Sequence, residues 1–193
     1  NDCNGSSDDQ DIGLDTGTTT VWYADVDGDG YGTEDDSQEL CLQPEGYVGA
    51  GGDCDDSDAS AFPGSAASEP GSQCMRDADG DGFGDISVSE EEQAQGIMVG
   101  SDCDDAEGSI GPGMSEVVAD EIDQDCDGQE ICYVDSDGDL FGSGLTISSA
   151  DADCQDENES VNSDDCSDTD GDAFPGAAEN ESSTECRRDA DGD

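Results

Sequence analysis

The chain has 193 residues, of which 55 are Asp or Glu, three are Lys or Arg and none is His, so its formal net charge is −52. A charge of this sign and size excludes binding to the phosphate backbone of nucleic acids. Leu, Ile, Val and Phe make up only 25 residues, too few for an ordinary apolar core, and no apolar run approaches the roughly 20 residues of a membrane-spanning helix.

Few regular elements are predicted, and all of them are short. In chain order they are an extended segment at 20–23, a helical turn at 34–40, an extended segment at 46–48, a helical turn at 89–95, an extended segment at 96–99 and a helical turn at 115–122. Each helical turn is shorter than an isolated helix tolerates in water. The predicted fold class therefore has little regular secondary structure and consists mostly of turns and loops.

The charge and the cysteines together predict what replaces the missing core. Ten Cys residues in a chain of this length favour a disulfide framework and a secreted or cell-surface protein. A compact chain of charge −52 repels itself unless cations are part of the fold. With no His and with oxidised Cys, the available ligands are carboxylate and carbonyl oxygens, which favour multiple Ca²⁺ ions.

One motif, here called the triple-Asp motif, occurs four times at intervals of 52 to 58 residues. Asp occupies positions 1, 3 and 5, as in an EF-hand loop, Gly usually follows at position 6, and the carbonyl of an aromatic residue lies at position 7. In the third copy Leu140 replaces that Gly. The candidate ligands are Asp25, Asp27, Asp29, Tyr31 and Asp36; Asp77, Asp79, Asp81, Phe83 and Asp85; Asp135, Asp137, Asp139 and Phe141; and Asp189, Asp191 and Asp193.

A second motif, here called the Asp-Cys motif, alternates with the first. It begins with Asp-Cys, continues with further Asp residues and leads to Pro-Gly. A third motif, Asp-Gln-Asp-Cys-Asp-Gly, occurs at 123–128. Their candidate ligands are Asp53, Asp55, Asp56 and Asp58; Asp102, Asp104, Asp105 and Glu107; Asp165, Asp168, Asp170 and Asp172; and Asp123, Asp125 and Asp127. The alternative interpretation of the Asp-Cys motifs is a solvated acidic turn.

The motifs divide the chain into tandem repeats. Residues 1–20 are the end of a preceding repeat and a linker, 21–73 are repeat 1, 74–131 are repeat 2, 132–185 are repeat 3, and 186–193 begin repeat 4. Because the chain starts and stops inside motifs, we expect it to be a window of a longer array. The alternative is a tightly chosen boundary.

The order of these motifs resembles the MopE-type metal-binding repeat of secreted bacterial proteins. The resemblance covers nearly the whole chain, although repeats 2 and 3 lack the segment Cys-Leu-Gln-Pro-Glu-Gly-Tyr-Val found at 41–48. The triple-Asp motifs alone are similar to thrombospondin type 3 repeats, and that resemblance implies a fold made of ions and disulfides. A copper role is not favoured, because the chain has no His.

The cysteine spacing predicts local disulfides. If each Cys of an Asp-Cys motif bonds to the next Cys downstream, the pairs are Cys54–Cys74, Cys103–Cys126 and Cys166–Cys186, and Cys132–Cys154 follows the same spacing. Cys3 and Cys41 remain, to pair with each other or with neighbouring units. Asn4, Asn158 and Asn180 begin Asn-x-Ser sequences that could accept glycans, or that occur by chance in a Ser-rich chain.

These observations predict an elongated rod in which Ca²⁺ ions and disulfides stabilise tandem repeats, with no catalytic residues. We expect an extracellular structural protein that self-associates into a fibre. The alternatives are a calcium-rigidified stalk of a larger adhesin or surface protein, and an extracellular calcium buffer or mineral-nucleating protein.

Overall fold

The computed structural model describes residues 19–71, 73–178 and 185–188. The chain forms two compact units, residues 1–108 and 109–193. In the described part, regular structure consists of nine strands and one helix of six residues. This agrees with the prediction of a fold with little regular secondary structure.

The first unit begins with a four-stranded sheet. Its strands are β1 (Thr20–Ala24), β2 (Tyr31–Leu40), β3 (Tyr47–Val48) and β4 (Ala50–Gly51), in the order β3-β1-β2-β4. β1 pairs antiparallel with β2 and β3, whereas β2 and β4 are parallel. The first triple-Asp motif therefore forms the connection between two antiparallel strands.

The described part of the first unit also contains a second sheet and the helix. β5 (Ala61–Pro63) pairs antiparallel with β6 (Cys74–Arg76), and α1 spans Glu90–Gln95. Ser89 caps the helix, since its side chain accepts from the Glu92 amide while the Glu92 carboxylate accepts from the Ser89 amide. Gly96 ends it in the left-handed conformation, with φ of 116°.

The second unit contains one three-stranded sheet. Its strands are β7 (Ile131–Val134), β8 (Thr146–Ser148) and β9 (Glu159–Ser160), with β7 in the centre and both neighbours antiparallel to it. The third triple-Asp motif follows β7 directly, as the first follows β1. A strand that ends just before the first Asp thus positions the loop in both units.

Apolar packing is confined to small local clusters. Ala61, Val88 and Ile97 are buried together against Cys54. The Tyr31 ring stacks on Phe62 with centroids 5.3 Å apart. In the second unit, Phe141 stacks on Phe174 at 5.2 Å. Each stack joins the aromatic residue of a triple-Asp motif to the Phe that follows an Asp-Cys motif.

Three of the predicted disulfides are present, with Cα–Cα distances of 5.5 to 6.3 Å: Cys54–Cys74, Cys132–Cys154 and Cys166–Cys186. Cys41, Cys103 and Cys126 are also disulfide-bonded. The pairing of Cys103 with Cys126 and that of Cys41 with Cys3 stay predictions, and Cys3 lies outside the described residues.

Three predicted elements differ from the structure. The segment 34–40 lies in β2 and pairs with β1, so strand pairing overrides its helical propensity. The segment 115–122 is not helical, since Ala119 and Glu121 have φ near +60°. The segment 96–99 is not a strand, because it begins at the left-handed cap of α1. The helix at 89–95 and the strands at 20–23 and 46–48 were predicted correctly.

Gly142 tests how closely a triple-Asp loop packs against its surroundings. A Cβ atom at this position would lie 2.6 Å from the Asn162 carbonyl oxygen and 2.7 Å from the Tyr133 Cβ. We expect Gly142→Ala to lower the free energy of unfolding by about 1–3 kcal/mol, because overpacking forces backbone shifts.

Gly144→Ala is the matched control, since a Cβ there meets nothing within 4 Å. Its effect should stay within about 0.5 kcal/mol. Denaturant unfolding of both variants measures the difference, and equal stability of the two would contradict this packing.

Candidate metal centres

Each triple-Asp loop is folded by its own carboxylates. In the first loop, Asp25 Oδ1 accepts from the Gly28 amide at 2.7 Å and Asp29 Oδ1 accepts from the Tyr31 amide at 2.7 Å. The same bonds recur in the other loops, from Gly80 to Asp77, Phe83 to Asp81, Gly138 to Asp135 and Phe141 to Asp139. The loop conformation is therefore encoded by residues close together in the sequence.

The position-6 residue adopts the left-handed conformation in every described copy. Gly30 and Gly82 have φ of 98° and 99°. Leu140 has φ of 75° and donates its amide to Asp135 Oδ2 at 2.9 Å. The third loop thus keeps the turn although a side chain replaces Gly, a conformation that costs roughly 1–2 kcal/mol for an L-residue.

The Asp-Cys motif of each repeat folds onto the triple-Asp loop of that repeat. Asp56 Oδ1 accepts from the Val26 amide at 2.6 Å, although the two residues are 30 positions apart. The equivalent bonds join Ala78 to Asp105 at 2.8 Å and Ser136 to Asp168 at 2.7 Å. A second contact recurs as well, from the amides of Asp53, Asp102 and Asp165 to the carbonyls of Gly32, Gly84 and Gly142.

This folding creates paired carboxylate clusters. Their oxygens lie within 4.8 Å of one another in the groups Asp25, Asp27 and Asp29; Asp27, Asp53 and Asp56; Asp77, Asp79 and Asp81; and Asp79, Asp102 and Asp105. Asp27 belongs to both clusters of repeat 1, and Asp79 to both clusters of repeat 2. In repeats 1 and 2, the central Asp of the loop therefore faces two groups of oxygens.

The same oxygens are buried without a donor in each repeat. They belong to the carboxylates at positions 3 and 5 of the loop and to the first Asp of the Asp-Cys motif. No hydrogen-bond partner among the described residues reaches Oδ2 of Asp27, Asp29 and Asp53, of Asp79, Asp81 and Asp102, or of Asp137, Asp139 and Asp165. Asp102 is completely buried. Buried carboxylates require a cation or a proton.

The electrostatics of these clusters agree with that requirement. Burial, helped by the charges of Asp29 and Asp27 and opposed by a backbone hydrogen bond, raises the pKa of Asp53 to about 6. Burial likewise raises the pKa of Asp105 to about 6. The ionised clusters are thus disfavoured unless positive charge lies between them.

Other predicted ligands make different contacts. Asp36 lies exposed in β2 and accepts from the Tyr47 hydroxyl at 3.1 Å, so it occupies a strand position rather than closing an EF-hand loop. Asp53 and Asp56 are the carboxylates grouped with Asp27 in repeat 1. The EF-hand analogy therefore holds for positions 1 to 6, and the Asp-Cys motif contributes the rest of the cluster.

Arginine side chains form ion pairs with four further predicted ligands. Arg76 pairs with Asp58 at 3.1 Å and Asp85 at 3.3 Å, and also with Glu92. The hydrogen bonds from Ser89 and Arg76 lower the pKa of Glu92 to about 2. Arg188 lies 3.0 Å from Asp170 and 3.9 Å from Asp172. These four predicted ligands thus belong to ion pairs that fasten the loops to neighbouring segments.

The remaining candidates include both predicted metal ligands and predicted glycosylation sites. Asp55 accepts from the Ser57 hydroxyl, and Asp104 and Glu107 are exposed. Asn158 is exposed, so a glycan there stays a prediction. Asn4, Asn180, Asp189, Asp191 and Asp193 lie outside the described residues.

The third motif, predicted to supply ligands, also has the form of a triple-Asp motif. Asp123, Asp125 and Asp127 are followed by Gly128, which is the spacing of a triple-Asp motif. The Gly128 amide donates to Asp123 Oδ2 at 2.8 Å, as Leu140 does to Asp135. The motif at 123–128 is therefore a further loop of this type, and its Asp spacing was the signal that could have identified it.

Four segments of the chain match a family model, Cu-binding_MopE, described as "Putative metal-binding motif". They are residues 53–68, 102–130, 153–164 and 165–181, and they contain all three Asp-Cys motifs and the third motif. The match supports a MopE-type metal-binding repeat. No curated protein and no solved structure matches the chain. The resemblance to thrombospondin type 3 repeats stays a prediction.

The acidic residues of the matched segments do not fit copper. Copper prefers imidazole and sulfur ligands. The chain has no His, and the described part contains no free Cys. The clusters that contain Asp27 and Asp79 offer carboxylate oxygens only. This donor set fits a hard divalent cation.

Two features of the described residues concern the cellular location of the protein. None of its helices is long and apolar enough to cross a membrane. Disulfides persist in oxidising environments, so the observed pairs are consistent with a secreted or surface protein.

Asp102→Asn tests the buried carboxylate of repeat 2. We expect this variant to bind a hard divalent cation, with Ca²⁺ as the probe, at least about tenfold more weakly at one site, because a charged ligand is lost. In chelator, the variant should be more stable than the wild type, because a buried unpaired charge is removed. Calorimetric titration and denaturant unfolding measure the two effects.

Glu45→Gln removes one charge from an exposed position of the same unit and should change neither quantity. If Asp102→Asn binds the probe like the wild type, Asp102 is not a ligand.

Proposed function

We propose that this chain is an extracellular structural repeat protein that binds many Ca²⁺ ions, with these ions in place of an apolar core. The observation that carries the proposal is the recurrence, in three repeats, of buried carboxylate oxygens without a hydrogen-bond donor among the described residues. A random distribution of acidic residues would not place the same three oxygens of each repeat in the same environment.

Calcium is favoured by the number and kind of ligands. Ca²⁺ accepts six to eight oxygen ligands in flexible geometry, whereas Mg²⁺ demands a near-ideal octahedron and usually keeps several waters. Two carboxylate clusters that share Asp27, or Asp79, offer many oxygens close together. Each Ca²⁺ would also offset two of the 52 excess negative charges.

A structural role is favoured over a calcium buffer by the way the clusters are assembled. A buffer needs exposed sites that exchange ions rapidly, but Asp102 is buried and Asp53 and Asp29 are partly buried. Residues about 30 positions apart meet at each cluster, as Val26 and Asp56 do. Ion binding and folding are therefore coupled. The proposed role is structural and not enzymatic, since the clustered carboxylates act as ligands.

We further propose that the repeats self-associate into an extracellular fibre. In a tandem array each repeat contacts only its neighbours. Repeats whose interiors depend on ions would therefore form a rigid array at millimolar calcium and a flexible one where calcium is scarce. The disulfides, which close segments of 20 to 22 residues, would restrain the unfolded state and protect such a fibre from proteolysis. A stalk within a larger surface protein would use the same properties.

Chelation is the direct test of calcium as the source of folding energy. With excess EGTA we expect the hydrodynamic radius to increase and protease cleavage to appear inside the triple-Asp loops, because the buried carboxylates then repel each other. Size-exclusion chromatography and limited proteolysis measure both effects, and added Ca²⁺ should reverse them. An unchanged radius and cleavage pattern would show that calcium does not organise the fold.

Electron microscopy tests the fibre. We expect filaments of the native material in millimolar Ca²⁺ and their loss in EGTA, with disulfides intact in both. Magnesium at the same ionic strength is the control for general charge screening. Single particles of constant length in calcium would instead favour the stalk.

A further inference from the structure

We propose that Glu116 and Glu130 complete an additional cation site on the loop of Asp123, Asp125 and Asp127, and that this site binds one divalent cation of the calcium class. The inference rests on the proposed function and extends it to residues outside the paired triple-Asp and Asp-Cys motifs.

The loop at 123–128 has the hydrogen bonds of a cation loop. The Asp127 amide donates to Asp123 Oδ1 at 3.1 Å, the Gly128 amide donates to Asp123 Oδ2 at 2.8 Å, and the Gln129 amide donates to Asp127 Oδ1 at 2.8 Å. Gly128 has φ of 83°. In each of the other three described loops, an Asp-Cys motif packs against the loop. At 123–128, two Glu side chains are the candidates for the same role.

Glu116 approaches this loop from the preceding segment. Its Oε1 accepts from the amide of Asp125 at 3.0 Å. Its Oε2 is buried and has no hydrogen-bond partner among the described residues. One oxygen thus fixes the carboxylate on the loop, and the other is left for a ligand.

Glu130 shows the same division between its two oxygens, in a completely buried side chain. Oε1 accepts from the amides of Ile131 at 2.8 Å and Ala119 at 3.3 Å. Oε2 is buried without a partner in the described structure. Ala119 lies three residues after Glu116, whose Oε1 accepts from the Asp125 amide at 3.0 Å, so the turn that places Glu116 on the loop also contacts Glu130.

No basic side chain in the described part of the chain neutralises this group. The chain has three basic residues, and each pairs with carboxylates elsewhere. Arg76 binds Asp58, Asp85 and Glu92; Arg187 binds Glu185; and Arg188 binds Asp170. Leaving a buried ionised carboxylate unpaired is strongly unfavourable. A bound cation removes that cost at both Glu residues.

The segment between Glu116 and the loop is held in place by its own hydrogen bonds. Gln124 is buried, its Oε1 accepts from the Val117 amide at 2.8 Å, and its Nε2 donates to both oxygens of Asp120 at 2.9 Å. Ala119 and Glu121 adopt left-handed conformations. This turn, which replaces the helix predicted there, brings the segment back onto the loop.

Native mass spectrometry of the full, disulfide-intact chain can count the ions. At a free Ca²⁺ concentration that saturates the wild type, we expect Glu130→Gln and Glu116→Gln each to carry one Ca²⁺ fewer. Glu157→Gln, an exposed Glu of the same unit, is the matched control and should keep the wild-type number. The two Gln variants retain an oxygen for the observed backbone hydrogen bonds.

A second measurement separates a ligand from a merely structural residue. In EGTA, Glu130→Gln should resist proteolysis better than the wild type, because a buried charge is removed. Lower resistance together with an unchanged ion count would assign Glu130 a packing role and overturn the inference. If Glu130→Gln does not fold, the ion count of Glu116→Gln decides.

The outcomes also distinguish this inference from the proposed function. If the wild type binds no Ca²⁺, both fail. If the wild type binds Ca²⁺ and both Gln variants bind the same number with the same affinity, only the additional site is wrong.

Discussion

Repulsion among buried carboxylates is the constraint on which the rest of this structure depends. Each repeat brings Asp residues from two motifs into one place, and the resulting oxygens lack hydrogen-bond donors among the described residues. In an ordinary domain, the burial of apolar side chains offsets the loss of conformational entropy. Here the apolar clusters are too small for that, and under the proposed function the attraction between cations and carboxylates supplies the missing energy.

The remaining interactions determine which carboxylates meet. The backbone amides of Val26, Ala78 and Ser136 each find an Asp-Cys carboxylate, so the loop and the second motif dock in a fixed register. The stack of Tyr31 on Phe62 holds the same two motifs together on their apolar side. In repeats 1 and 3, the disulfides Cys54–Cys74 and Cys166–Cys186 then restrain the segment that follows the Asp-Cys motif.

Variation among the repeats shows which features the arrangement tolerates. Leu140 occupies a left-handed position where the other loops have Gly, and the third loop retains the hydrogen bonds from Gly138 to Asp135 and from Phe141 to Asp139. Gly111 stands in repeat 2 where Phe62 and Phe174 stand in the other repeats, so the sequence provides no equivalent ring for Phe83. The hydrogen bonds of the carboxylates recur more faithfully than the apolar contacts do.

The sequence by itself determined the loops, because their hydrogen bonds join residues close together in the chain and follow from the spacing of Asp and Gly. It also predicted three observed disulfides from spacing alone. Only the tertiary structure decided which Asp-Cys carboxylates face each loop, that Asp36 lies in a strand, and that Glu130 is buried. The pairing of the two motifs depends on contacts across about 30 residues, and in a chain with so many Asp residues local spacing cannot select among them.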